Sequence, residues 1–223
     1  MKRQRRRLSE FASTVSHDLR NPLMVVRGRV ELLDEDASDS QIETIERNLD
    51  RMEAIIEDTV TVAREGQPVE ETEPVDVGSV AETCWQHLDT GSATLDLDGE
   101  VTVDADADRL DRLFEHLFDN VVEHGSTSNR TRSDSAVTVT VGALAGDVDG
   151  FYVEDDGPGI PADERDRVFE PGYTTAGERT GFGLCIVREL AEAHGWAVSL
   201  VEGSDGGARF EFAADAGARF ARP

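Results

Sequence analysis

The sequence predicts an α-helical hairpin, doubled by a second copy into a four-helix bundle, followed by an α+β two-layer domain. Three observations carry this reading. Over roughly the first sixty positions the apolar residues recur in steps of three and four; later they alternate in short runs; between the two regimes stands a polar stretch holding Gly66, Pro68 and Pro74. The boundaries are a hairpin over 1–66, a linker over 67–75, the α+β domain over 76–215 and a tail over 216–223.

The first seam runs through Leu8, Phe11, Val15, Leu19, Leu23 (or Pro22), Val26, Val30 and Leu33. Pro22 has no N–H for the Asp18 carbonyl, so this helix should bend just after His17. Asp34–Asp39 is a polar loop, and Ser40 with Glu43 has the form of a capping box. A second seam comes at Ile42, Ile45, Leu49, Met52, Ile56 and Val60 or Thr59. One hairpin cannot bury both seams, which predicts a homodimer through the hairpin. Beyond the linker, Ser79–Leu88 reads as a short helix and Ala93–Leu97 and Val101–Asp104 as strands. Asp106–Glu123 is strongly amphipathic through Leu110, Leu113, Phe114, Leu117, Phe118 and Val121. Gly125–Asp134 is a polar loop, and Val137–Val141 and Phe151–Asp155 alternate as strands do. A Gly-, Pro- and acid-rich stretch then runs to Gly183. Helix Leu184–His194 and strands Ala197–Val201 and Ala208–Phe212 close the domain, with a turn over Gly203–Gly207.

Of 223 residues, 47 are Asp or Glu and 22 are Lys or Arg, giving a net charge of −25; Lys2 is the sole lysine. Such a surface repels nucleic acid and anionic membrane, which excludes both as partners of the main body. Excess acid with almost no lysine points to a salt-rich cytosol, as in a halophile, where like-charge repulsion is screened. Periodic apolar seams exclude the disorder that high charge otherwise implies. The basic run Lys2–Arg7 reads as a helical lead-in from an upstream sensor or membrane segment. Cys84 and Cys185 stand far apart with no CxxC, so they are read as reduced and buried in a cytoplasmic protein. No signal peptide is recognisable, and no apolar run is long enough to be a transmembrane segment.

The chemistry concentrates in a few stretches. Ser16-His17-Asp18-Leu19-Arg20-Asn21-Pro22-Leu23 places an imidazole, a carboxylate and an amide within about one helical turn. A neutral imidazole is a nucleophile near pH 7, and a neighbouring carboxylate can orient it or take its proton. Asp155-Asp156-Gly157-Pro158-Gly159 ends a strand with a carboxylate and then glycines, which admit a flat ligand close to the backbone. Phe169-Glu170-Pro171 is an aromatic anchor in the long loop. Gly181-Phe182-Gly183-Leu184 is a glycine-rich start of a helix, whose N–H groups suit phosphate. Asn120 offers a neutral oxygen to a Mg²⁺ shared with phosphates. His87, His124 and His194 fall near helix ends and read as structural, with the last two placed where a helix dipole favours a cation. No H-E-x-x-H or Cys/His cluster points to zinc, and G-K-[ST] of a P-loop is absent.

In this order the stretches resemble a sensor histidine kinase of two-component systems: a dimerisation and phosphoacceptor hairpin followed by an ATP-binding domain of the Bergerat, or GHKL, type. The resemblance covers about Leu8 to Phe212. It implies that His17 is the phosphoacceptor, Asp18 its helper acid/base, and Asn21 the residue that orients water when the partner is dephosphorylated. It implies ATP and Mg²⁺ as cofactors, with Asn120 on the metal and Asp155 reading the adenine amino group. Gly157, Gly159, Phe169, Thr180, Gly181, Gly183 and Leu184 would line the nucleotide, under a lid over about 161–180. The implied partner is a response regulator receiver domain in trans. Departures fall at His116, Glu123, Asp156, Gly172 and Arg179, where the family more often carries Asn, a basic residue, Asn, Phe and Gly. They leave two other readings on the table: a phosphatase-biased or pseudokinase scaffold, and a GHKL-type serine kinase or ATPase.

Overall fold

The computed structural model describes residues 15, 19, 21–28, 30, 39–65, 67–127, 136–146, 149–175 and 180–214. His17, Asp18 and Arg179 lie outside them, as does the side chain of Glu123. The chain divides into two compact units, the first drawn from Met1–Ala63 with Val168–Cys185, the second from Arg64–Arg167 with Ile186–Pro223.

In the first unit residues 21–28 are helical, with Pro22 buried and Asn21 exposed. Helix α1, Asp39–Glu65, is 27 residues long. Its expected seam divides. Ile42, Leu49, Ile56 and Val60 are exposed, together with Leu23, Met24, Val25 and Val30, whereas Ile55, one position off the seam, is fully buried.

The second unit opens on strand β1, Glu73–Asp76, which pairs antiparallel with β3, Thr102–Ala105, in a two-stranded sheet. The sequence assigns residues 73–75 to the linker; they are a strand because Thr102–Ala105 supplies their partners, while Val75 is the only one of the four to be buried. Helix α2, Val77–His87, starts two residues ahead of the expected Ser79, because the Asp76 carboxylate caps it by accepting from the Ser79 N–H at 2.6 Å. Strand β2, Thr94–Asp98, lies on the edge of a five-stranded sheet and runs parallel to β4, Thr138–Ala143. A parallel pair needs a long crossover, which β3 and helix α3, Ala107–Thr127, provide. Strands β5, Gly150–Asp155, β7, Ala208–Ala214, and β6, Trp196–Glu202, complete the order β2-β4-β5-β7-β6, each antiparallel to its neighbour. Helix α4, Gly183–Ala193, precedes β6.

The apolar stripe of α3 becomes the core as its spacing predicts: Leu110, Leu113, Phe114, Leu117 and Phe118 are fully buried. Each contributes on the order of 1.5–3 kcal/mol by leaving water. Phe114 stacks on Phe118 and leans on Phe151 of β5, which in turn stacks on Phe212 of β7. Cys84 is buried among these elements with Asp111 beside it, and burial, the larger cause, pushes its thiol up to about 12. Both cysteines are thiols, as read from the sequence.

Two polar nodes fasten the start of this unit. The carboxylate of Glu65 is buried and ion-paired to Arg109, at 3.3 Å, and to Arg112, both on α3. Arg109 also donates to the carbonyls of Gln67, at 2.7 Å, and Glu65, and the Val69 N–H donates to the Ala193 carbonyl at 3.0 Å. The second node is His194, whose Nε2 accepts from the Asp106 N–H at 3.1 Å while Nδ1 lies 2.8 Å from the Leu190 carbonyl and the ring stacks on Trp196. The sequence reads this histidine as structural, at a helix end whose dipole favours a cation. Burial instead pulls the imidazole below its ordinary 6.5, aided by Arg109, and the Asp106 contact needs an unprotonated nitrogen. The neutral form is favoured in the folded state, so this stability is fully present above the unfolded value near 6.5 and is lost as pH falls below it. Urea unfolding at pH 7.5 and 5.5 should therefore show a larger loss on acidification in the wild type than in His194→Gln.

Among the described residues no helix is long and apolar enough to cross a membrane.

Candidate functional site

Strand β5 alternates Phe151, Val153 and Asp155 on the helix-covered face with Tyr152 and Glu154 on the other. Asp155 thus extends an apolar stripe with a carboxylate, and it is 9% exposed. A charge there must be held by hydrogen bonds. The Gly157 N–H supplies one to Oδ1 at 2.7 Å. A Cβ on Gly157 would fall 2.4 Å from that same oxygen, so any other residue there would push the carboxylate out of this position. Gly159, at φ +71°, has a similar explanation: its Cβ would lie 2.4 Å from the Gly206 carbonyl. These glycines build the frame that presents Asp155, a role distinct from the expected close approach of ligand to backbone.

Sequence reasoning passed over Gly207. It treats Gly203–Gly207 as a turn, yet a Cβ on Gly207 would fall 1.8 Å from the Asp155 carbonyl oxygen and 2.8 Å from its Oδ1. The available signal was the doubled glycine. Gly206, at φ +88° with open space around it, already serves the turn, so a second glycine needs another reason. Asp156 ties the same loop to β4: its Oδ1 accepts from the Thr138 N–H at 2.9 Å and its N–H donates to the Thr138 carbonyl at 3.2 Å. An asparagine Oδ1 accepts equally well, which makes this departure chemically silent at that contact. Beside the loop a cleft of about 190 Å³ is lined by Thr138, Thr140, Glu154, Asp155, Asp156 and Asp205. Four carboxylates make that side hostile to phosphate.

Asn120 is half-buried on α3, one turn after His116, and its Nδ2 donates to the His116 carbonyl at 2.9 Å. That bond commits the nitrogen and leaves Oδ1 as the atom for a cation. Among the described residues no group of three or more His, Cys, Asp or Glu could hold a metal. A lone amide oxygen fits Mg²⁺ that arrives on phosphates and keeps its waters, and it does not fit a resident metal centre.

The remaining candidates belong to the first unit. Phe169 is buried, in keeping with an aromatic anchor. Gly172, at φ +80°, donates its N–H to the Gly181 carbonyl at 3.1 Å, and the left-handed backbone accounts for a glycine where the family more often carries Phe. Gly181, at φ +75°, has no room for a Cβ, which would sit 2.6 Å from the Gly172 carbonyl carbon. The Thr180 hydroxyl donates to Asp58 of α1 at 2.5 Å and accepts from the Phe182 N–H at 3.5 Å. Gly183 begins α4, with Leu184 half-buried after it.

Two family models match the chain. Residues 7–68 match the His Kinase A phospho-acceptor domain, and residues 105–217 match the histidine kinase-, DNA gyrase B- and HSP90-like ATPase. The sensor histidine kinase GtrS of Pseudomonas aeruginosa is 30% identical over 210 residues, covering 90% of this chain and 40% of that protein. The sensor protein RstB of Escherichia coli is 31% identical over 208 residues, covering 89% and 46%. The crystal structure of full-length ShkA in complex with AMPPNP superposes with a TM-score of 0.60 at 27% identity, covering 95% of this chain and 46% of that one. The chain thus spans less than half the length of these curated relatives. A phosphoacceptor domain followed by a Bergerat-type ATPase domain, over nearly the whole sequence, places this chain in the sensor histidine kinase family.

Proposed function

We propose that this chain is the transmitter part of an ATP-dependent protein histidine kinase, which phosphorylates His17 and passes the phosphoryl group to an aspartate of a response regulator. The observation that carries this reading is the framed Asp155 carboxylate downstream of a histidine-bearing hairpin. Asp155 would accept from the adenine amino group and Asn120 Oδ1 would hold Mg²⁺, which would neutralise charge on the phosphates; AMPPNP bound by ShkA supports a nucleotide here. The His17 nitrogen bonds to the γ-phosphorus as the bond to the β–γ bridging oxygen breaks. Asp18 takes the imidazole proton and ADP leaves. Catalysis is then mainly positioning and charge neutralisation. The lid is the stretch over about 161–180. The exposed apolar row on 21–30 and α1 meets a second copy, giving the homodimer, and the chain works in the cytoplasm below a sensor region.

Incubation with γ-labelled ATP and Mg²⁺ tests this. Acid-labile, base-stable label is the expected result. Acid-stable label would instead support a serine kinase, and nucleotide binding without label would support a scaffold. The exposed Asn21, one turn after His17, has a separable role. Asn21→Ala should keep autophosphorylation within about twofold and slow dephosphorylation of the regulator by about tenfold or more. Equal loss of both activities would sink that division.

A further inference from the structure

On the sheet face opposite Asp155, Glu154 is pinned on two sides. Its Oε2 accepts from Arg209 Nη1 at 2.7 Å, and its Oε1 accepts from the Ser204 N–H at 2.5 Å. Arg209 is itself fixed, with Nε donating to Glu211 at 2.9 Å and its guanidinium 3.6 Å above the Tyr152 ring. Tyr152 in turn donates to Asp98 at 2.9 Å, which carries the lattice of contacts across to β2. Burial pushes the Glu154 carboxyl up, but Arg209 and Ser204 outweigh it and hold it below the usual carboxylate value, so Glu154 is ionised at neutral pH.

Ser204 lies in the turn that carries Gly206 and Gly207. That turn is closed by the Gly203 N–H on the Gly207 carbonyl at 2.9 Å and the Gly206 N–H on the Gly203 carbonyl at 3.1 Å. On its far side Gly207 abuts the Asp155 backbone and the Gly206 carbonyl abuts Gly159. The loop after Asp155 is tied at its start, by Asp156 on Thr138 and by the Gly157 N–H on the Asp155 carboxylate, and from Gly159 on it rests against the 203–207 turn. Its wall is the 203–207 turn, and Glu154 is the side chain that holds that turn in place. We propose that Glu154 is a positioning residue for nucleotide recognition: through Ser204 and Gly206–Gly207 it fixes the Asp155–Gly159 loop and hence the direction of the Asp155 carboxylate. The proposal rests on Asp155 reading the adenine amino group.

The test compares steady-state autophosphorylation of the full chain with ATP and with GTP in wild type, Glu154→Ala, Glu154→Gln and Asp155→Asn. Glu154→Ala should raise KM for ATP about tenfold, leave kcat within about twofold, and narrow the preference for ATP over GTP. Glu154→Gln keeps an amide oxygen for the Ser204 N–H and should stay within about threefold of wild type in KM. Partial unfolding would lower apparent kcat without moving KM, so a fall in kcat alone overturns the proposal. An unchanged KM in Glu154→Ala, or equal damage in Glu154→Gln, also overturns it. If Asp155→Asn leaves KM and the ATP preference unchanged, the reading of Asp155 fails and takes the proposal with it. If Asp155→Asn raises KM while Glu154→Ala does not, only the role of Glu154 is refuted.

Discussion

His17→Gln is expected to bring label transfer from γ-labelled ATP down to background, with nucleotide affinity within about twofold of wild type. The glutamine amide nitrogen is not nucleophilic, because its lone pair is delocalised into the carbonyl. None of the other histidines whose side chains are described offers a substitute. His194 has both ring nitrogens engaged and its ring stacked on Trp196, His116 lies on the core helix beside Asn120, and His87 closes α2 and is followed by Leu88 where His17 is followed by Asp18. The measurement is retained label against time at saturating ATP, with binding followed separately by a fluorescent nucleotide. Label retained at the wild-type level would move the acceptor to another residue.

Gly207→Ala is expected to produce the second large effect, this time on nucleotide binding and on folding together. A Cβ 1.8 Å from the Asp155 carbonyl cannot be relieved by a rotamer change, since both sides of the contact are backbone. Strand β7 or the Asp155 loop has to move, at about 3 kcal/mol or more. Gly99→Ala is the control. Gly99 sits at φ +86° with nothing within 4 Å of the place a Cβ would take, so it should cost about 1–2 kcal/mol of backbone strain and leave ATP binding alone. Thermal unfolding and nucleotide titration of the two variants separate a local collision from a general loss of stability. Similar nucleotide affinities in both would remove Gly207 from the site.

The α3 core was legible because Leu110 through Phe118 carry the helical period without interruption, and such a stripe has one way to be buried. Strand β1 was not, because Glu73-Pro74-Val75-Asp76 contains a single aliphatic branched residue and a proline; its pairing comes from Thr102–Ala105, nearly thirty positions on. The neutral state of His194 was hidden for a related reason. Its position past a helix end argues for a cation, and only the folded chain brings Asp106 and Trp196 around it. Asp155 and Asn120 were named as candidates by motif. The reasons for Gly157, Gly159 and Gly207 were not legible, because each depends on a close contact, with the Asp155 carboxylate for Gly157 and with backbone for the other two, that one-dimensional spacing does not contain.

The Glu65 node has a mechanical consequence. Glu65, Gln67, Val69 and Glu73–Asp76, a stretch whose composition suggests a loose connector, are each bonded within the second unit. A flexible tether would absorb an inserted residue at almost no cost. A residue inserted between Glu65 and Val69 instead has to break one of these ties, and urea unfolding should register it as a loss of about 1–3 kcal/mol in the second unit.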